Sequence, residues 1–228
     1  NPMRPATPRA QRQLTTQEYQ RLSDFVFQAI NIKMPKVGNQ VMSARLQKRL
    51  RALGLDSFTE YLNLVTDPSA GRNELQQLTD TVTTTTTEFF RESHHFDFLT
   101  KTALPDLVNR LGAGVDRPLH AWSAACSSGE EPYSMGMVFQ DYDRKVIGRN
   151  FSFDIKATDI SLQMLETAKR AVYPMGEITP VPMALKKKFL MKSKDPNRQE
   201  RPEERRVGKE CRYRRSTTWR KKKEEKTT

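Results

Sequence analysis

The sequence predicts an α/β protein in two parts, a helical bundle at the N-terminus and then an incomplete sheet domain. Three observations lead there. Apolar residues recur at helical spacing through residues 15–82; a run of five threonines, Thr83 to Thr87, breaks the pattern; and two strand-like runs follow, Leu119–Ala125 and Phe151–Thr158, each leading into a helix. The 228 residues are enough for one or two domains with a real core.

Residues 1–14 are rich in proline and arginine and poor in apolar residues, and are expected to be a disordered lead-in. Thr15 and Glu18 make a capping box for a helix whose apolar face is Tyr19, Leu22, Phe25, Val26, Phe27 and Ile30. A second helix is expected from about Val37 to Leu53, stopped by Gly54, with its stripe at Met42, Leu46, Leu50 and Leu53. Arg45, Lys48, Arg49 and Arg51 lie largely off that stripe, as either a solvated basic face or a docking face for an acidic partner helix. A third helix follows Asp56 (Phe58, Tyr61, Leu62, Val65), and a fourth carries Leu75, Leu78 and Val82.

β-branched residues resist helix, so the threonine run reads as an extended linker, with Thr85 and Glu88 offering a local capping box as the alternative. The sheet domain is expected over 83–200. A helix near Thr102–Leu111 precedes the first strand, and a helix from about Glu131 to Tyr142 follows it. The second strand alternates Phe151, Phe153, Ile155 and Ala157, the period of two. Leu162, Leu165 and Ala168 build the next helix, ended by Tyr173-Pro174, and a lysine-rich helix is expected around Pro182–Met191.

Between the first strand and its helix stands Cys126-Ser127-Ser128-Gly129-Glu130-Glu131-Pro132. A strand, a small-residue turn and a helix N-terminus make a nucleotide-type pocket. Helix N-termini attract phosphate, but Glu130 and Glu131 repel a pyrophosphate and favour a cation. The glycine spacing of a dinucleotide site or a P-loop is missing. A nucleoside with an ammonium and a sulfonium, S-adenosylmethionine, fits best. Asp159, at the end of the second strand, is placed to accept both ribose hydroxyls; the alternative is that it caps the next helix, for which Ser161 is equally placed.

Three segments carry a resemblance: Trp122–Tyr133, Thr83–Phe96 (TTTTTEFFRESHHF) and Ala157–Ser161 (ATDIS). In this order they resemble the chemotaxis-receptor methyltransferases, the CheR family, from about Gln17 to about Gln199. The resemblance implies a helical N-terminal domain followed by a Rossmann-like S-adenosylmethionine-dependent methyltransferase domain. The reaction it implies is methylation of glutamate side chains in the cytoplasmic helical region of chemotaxis receptors. It also implies that Thr85, Thr87 and Arg91 line the cofactor pocket, Arg91 placing cofactor and substrate. Gly129 would allow close backbone approach, Glu131 would meet the cofactor's amino-acid end and Asp159 the ribose, with Glu130 the less clear acid. The family usually has asparagine at the position of Thr85, and Arg91 has the alternative of a surface ion pair. The competing reading is a non-catalytic module whose basic N-terminal helices bind acidic receptor helices.

Composition narrows the classes. Hydrophobic residues make up 36% and the mean hydropathy is -0.74, so part of the chain is expected to stay unpacked. No apolar run approaches the roughly 18 residues of a membrane span, and no secretory leader is expected. Cys126 and Cys211 make no disulfide framework, so a reducing cytoplasm is expected, without membrane insertion. The net charge of +12 invites nucleic acid, but the last 28 residues hold 12 Lys/Arg against 5 Asp/Glu, seven of the twelve surplus charges. That tail shows no apolar periodicity, and Glu203–Cys211 (EERRVGKEC) resembles a translated sequencing adaptor. Residues 201–228 are therefore expected to be non-native or disordered, leaving two recognisable strands, an open sheet edge and an inactive chain. His94 and His95 are not expected to hold a metal, since neighbours in a helix point about 100° apart and no further Cys/His stands at zinc spacing. Cys126 has no candidate base and reads as a small turn residue.

Overall fold

A computed structural model describes residues 12–36, 38–69, 71–83, 85–148, 151–192, 204–207 and 214–215. The chain divides between Thr84 and Thr85 into two units, each described by itself.

The first unit is four helices with ends set by local chemistry. The Thr15 hydroxyl accepts from the Glu18 N–H while the Glu18 carboxylate accepts from the Thr15 N–H, closing the capping box of α1 (Thr16–Ile30). Such a cap contributes about 1 kcal/mol. α2 (Asn39–Leu53) ends on Gly54, whose φ of 69° is the left-handed geometry a glycine adopts without strain. Ser57 caps α3 (Phe58–Thr66), and α4 spans Gly71–Val82. Tyr19, Leu22, Val26, Met42, Leu46, Leu50, Phe58, Tyr61, Leu62, Val65, Leu78 and Val82 close one core. Phe27, at the edge of its helical face, and Leu53, the last residue of α2, are exposed and do not join it. Leu14, placed by sequence in the disordered lead-in, is instead buried, its N–H donating to the Ser43 hydroxyl at 2.8 Å. Residues 1–11 and Val37 lie outside the described residues.

The second unit begins with a helical path longer than periodicity showed: α5 (Ser93–Phe98), a π-type turn (Leu99–Ala103) and α6 (Leu104–Leu111). The wider turn falls just before Pro105, whose missing N–H interrupts the helical ladder. β1 (Leu119–Ala124) and β2 (Phe153–Thr158) pair in parallel, Leu119 opposite Phe153 and Ala124 opposite Thr158. Between them in sequence runs α7 (Glu130–Tyr142), which separates two cores. Tyr133 and Met137 pack with Phe89, Tyr173, Ile178, Val181 and Phe189, whereas Val138, Phe139 and Tyr142 pack with Leu104, Leu119, Phe151 and Ile155. α8 (Leu162–Arg170) follows β2, Ser161 capping it through the Met164 N–H.

The fold class is as expected, an all-helical part and then a small parallel sheet with helices. The strand count is not. β3 (Val172–Pro174), expected as a helix end, and β4 (Leu190–Lys192), expected inside the lysine-rich helix, flank β5 (Glu204–Val207) in an antiparallel sheet; that helix is α9 (Met183–Phe189). β6 (Arg214–Arg215) pairs in parallel with β2 at Lys156 and Ala157. Residues beyond Arg201 thus do supply strand pairing, against the expectation of an open edge. Strands of two to four residues are too short to show a period, and their partners are distant in sequence.

One face of the β1–β2 ribbon is covered and the other is not. Leu119, Ser123, Ile155 and Ala157 are buried, while His120, Trp122, Ala124 and Lys156 are exposed, Trp122 at 67%. Parallel sheets are ordinarily covered on both faces.

Candidate functional site

β1 delivers the chain to a turn held in unusual geometry. Ala125 (φ 58°) and Ser127 (φ 49°) are left-handed, as is Gly129 (φ 101°). For the two non-glycine residues this costs on the order of 1–3 kcal/mol each and persists only where the surroundings over-determine it. The surroundings do so here. The Cys126 N–H donates to the Thr158 carbonyl (2.9 Å) and the Gly129 N–H to the Cys126 carbonyl (3.0 Å). The Ser127 N–H donates to Asp159 Oδ2 (2.7 Å) and its hydroxyl to the Thr85 carbonyl (3.2 Å). The Tyr173 hydroxyl donates to the Ser128 carbonyl (2.7 Å).

Asp159 clasps two loops. Oδ2 takes the Ser127 N–H and Oδ1 the Ser161 N–H (2.8 Å). Ser161, not Asp159, is the cap of α8. A carboxylate has about four acceptor positions, so two remain for ligand hydroxyls at the carboxyl ends of β1 and β2.

The adjacent acids point to different surroundings. Glu131 is exposed and accepts from the Ser123 hydroxyl of β1 at 2.7 Å. Glu130 is buried, both carboxylate oxygens accepting from the Ser128 hydroxyl, and burial pushes its carboxyl above the usual range. An exposed acid beside the strand end suits a ligand ammonium; a buried one shapes the turn. Gly129 has a reason independent of any ligand: a Cβ there would stand 2.8 Å from Ala168 Cβ and 3.0 Å from the Tyr173 hydroxyl.

Thr85 reaches the turn through its backbone carbonyl rather than its side chain. Thr87 is half-buried. Arg91 is exposed, Nη1 donating to the Thr86 carbonyl at 3.3 Å, and the residues on either side of it, Phe90 (φ 55°) and Glu92 (φ 52°), are left-handed. Among the described residues no hydrogen bond or ion pair joins Arg91 or Thr87 to Glu131 or Asp159. Sequence reasoning missed Ser123, Ser127 and Ser134, the hydroxyls that brace this site; serines in a turn and on a buried helix face were the available signal.

The four basic residues of α2 separate. Arg49 makes a two-pronged pair with Glu74 (2.9 and 2.6 Å), which also accepts from the Tyr61 hydroxyl (2.9 Å). Glu74 holds the guanidinium above its ordinary pKa, and burial with Glu74 raises the Tyr61 phenol. Arg45 donates to the Thr81 and Thr83 carbonyls at the end of α4. Lys48 is exposed, and Arg51 lines a cleft of about 620 Å³ with Arg12, Gln40, Ser43, Gln47 and Asp56.

At His94 and His95, where no metal is expected, a third group stands close by. The two rings lie 4.2 Å apart, and Glu92, His94 and His95 offer ligand atoms within 4.8 Å of one another, all exposed. The left-handed backbone of Glu92, the N-cap of α5, lies outside helical spacing rules.

A strained strand-to-helix turn, an exposed acid at the helix start and a carboxylate at the end of the neighbouring strand thus meet at the carboxyl ends of two parallel strands of an α/β domain. Residues 85–222 match the model of the CheR methyltransferase SAM-binding domain, and residues 17–83 that of the CheR methyltransferase all-alpha domain. The chain belongs to the CheR methyltransferase family. It is 37% identical over 184 residues to a chemotaxis protein methyltransferase of Borreliella burgdorferi, covering 80% of this chain and 64% of the relative. It is 35% identical over 187 residues to chemotaxis protein methyltransferase 2 of Pseudomonas aeruginosa (80% and 61%), and 33% over 184 residues to a chemotaxis protein methyltransferase of Escherichia coli (81% and 60%). The chain therefore spans less than two thirds of the length of these relatives. Among the described residues no helix is long and apolar enough to cross a membrane.

Proposed function

We propose that this protein, completed to the length of its relatives, transfers a methyl group from S-adenosylmethionine to glutamate side chains of chemotaxis receptors in the cytoplasm, giving glutamyl methyl esters. The observation that carries the reading is the clasp of Asp159 on the left-handed turn at Ser127, with exposed Glu131 beside it. Asp159 takes the ribose hydroxyls on its remaining acceptor positions. Glu131 meets the ammonium, held in orientation by Ser123. Thr85, Thr87 and Arg91 line the opposite wall. When bound, the cofactor supplies a methyl group already activated by its sulfonium. The receptor carboxylate, with an ordinary pKa of about 4.3, is ionised at neutral pH and needs no general base. The residues of this chain therefore bind, align and exclude water, and no metal takes part.

For the receptor, Lys48 and Arg51 of α2 supply the basic docking face, since Arg45 and Arg49 are held against α4 whereas Arg51, among the described residues, bonds only within its own helix, Nε to the Gln47 carbonyl at 3.3 Å. Nucleic acid is not a partner in this reading.

Residues 1–228 alone are proposed to be inactive. The exposed face of β1–β2 supports this: without a second layer the turn has no wall on that side. A methyl-transfer assay on residues 1–228, beside a version extended with the C-terminal part of a relative, tests both statements. Transfer by the extended version only is expected. Transfer by 1–228 alone contradicts the inactivity, and cofactor binding by neither leaves only the non-catalytic module. A foreign origin of residues 201–228 is proposed from the resemblance of Glu203–Cys211 to a translated sequencing adaptor. The family match to residue 222 and the pairing of β5 and β6 weigh against it, and sequencing the source DNA across codons 195 to 228 decides.

A further inference from the structure

We propose that Ser134 is a positioning residue for the segment that carries Arg91: its hydroxyl latches that segment to α7. Ser134 is fully buried, at 0% exposure, on the second turn of α7. Its hydroxyl donates to the Glu130 carbonyl (2.7 Å) and accepts from the Phe90 N–H (3.0 Å). Both capacities of the hydroxyl are thus used, one inside the helix and one across to a segment 44 residues earlier.

The receiving residue makes this more than packing. Phe90 has a φ of 55°, and Glu92, two residues on, a φ of 52°. Left-handed backbone at a phenylalanine costs on the order of 1–3 kcal/mol and needs an external hold. Below it, Phe89 is wholly buried against Tyr173, the rings 4.9 Å apart and edge to face. Phe89 fixes the height of the segment; the Ser134 bond fixes the rotation of the next peptide, and so the direction in which Arg91 leaves the backbone. The far end is tied by the Ser127 hydroxyl at the Thr85 carbonyl. Ser127 and Ser134 therefore clamp 85–90 at both ends against the turn and helix that carry Glu130, Glu131 and Gly129. Alanine fits either position by size but leaves the carbonyl or the N–H unmet.

The inference rests on the proposed cofactor site for its meaning and on the clamp geometry for its test. Residues 1–228 are compared as wild type, Ser134→Ala and Ser134→Thr, by amide hydrogen exchange at Phe90–Glu92 and by titration with S-adenosylhomocysteine. Ser134→Ala is expected to speed exchange at Phe90 at least tenfold and to weaken binding several-fold, with β1 amides protected as before. Ser134→Thr keeps the hydroxyl and is expected to restore both. Unchanged exchange at Phe90 in Ser134→Ala overturns the latch. Faster exchange with unchanged affinity overturns its positioning role. Should residues 1–228 bind no S-adenosylhomocysteine, the titration is repeated on the version extended with the C-terminal part of a relative; no binding there fails the cofactor reading, and exchange alone then decides the latch.

Discussion

The two units place strain and charge differently. Among the described residues, the helical unit has one left-handed non-glycine residue, Asn31, at a helix end where such geometry is ordinary. The sheet unit has five, and four of them, Phe90, Glu92, Ala125 and Ser127, lie on the two segments that make the candidate site. Each unit also buries a glutamate. Glu74 in the first is met by a guanidinium and a phenol; Glu130 in the second is met by the Ser128 hydroxyl. The first unit is built to be stable, with its polar groups paired. The second stores unfavourable geometry where a ligand would bind, as expected of sites rather than scaffolds.

The largest expected effect breaks the stable side. Arg49→Ala leaves Glu74 buried without its cation, and loss of one partner of a buried pair costs about 3–5 kcal/mol; Arg49 is partly solvent-exposed, so the lower end applies. Residue-resolved exchange should show that loss across α2, α3 and α4, with β1 and α7 unmoved. Loss in both units would erase the distinction.

Gly129→Ala comes next. It adds a Cβ 2.8 Å from Ala168 Cβ at a left-handed position, and should cost the sheet unit on the order of 1–3 kcal/mol. Thermal melts followed at Trp122 report it. A neutral result would mean that the turn relaxes easily and stores no strain.

Two acids, Glu130 in the sheet unit and Glu18 at the cap of α1, sharpen the comparison through pH. Burial raises the Glu130 carboxyl above its ordinary 4.5, partly opposed by the Ser128 hydrogen bond. A raised folded pKa stabilises fully below the ordinary value, and that stability is lost as pH rises through the folded pKa. The sheet unit should therefore weaken as pH climbs from about 4.5, and Glu130→Gln should flatten that slope. Glu18 runs the other way. Burial raises its pKa, but the Thr15 and Thr59 hydrogen bonds outweigh it and the net shift is downward. Its contribution is present above the ordinary value and lost on acidification. Denaturant titrations at several pH values, read separately for each unit, check both signs.

These contrasts explain what was legible in the sequence. Thr15–Glu18, Gly54 and the leucine stripe act within one helix or its cap, so most of the helical unit could be read from local pattern, although the Ser57 cap of α3 was not singled out. Leu14 escaped because its partner, Ser43, is 29 residues away. In the sheet unit the turn, and the placement of Glu131 and Asp159 beside it, were readable from order and type. The work of Ser127 and Ser134 was not, since each bonds across more than 30 residues. Arg49 looked like any member of a basic run until Glu74 was brought against it. Lys48→Glu with Arg51→Glu should give the smallest stability change, within about 0.5 kcal/mol, while raising KM for receptor in an active, extended protein with kcat nearly unchanged.

The central claim is that the turn clasped by Asp159 is the nucleoside site. A nitrogen-resolved NMR titration of residues 1–228 with S-adenosylhomocysteine tests it most directly. Saturable shifts at Ser127, Gly129 and Ser161 are predicted, with affinity reduced in Asp159→Ala by about 1–3 kcal/mol for the polar partners left unmet. Saturable binding whose shifts bypass those three amides, or affinity unchanged by Asp159→Ala, would contradict it.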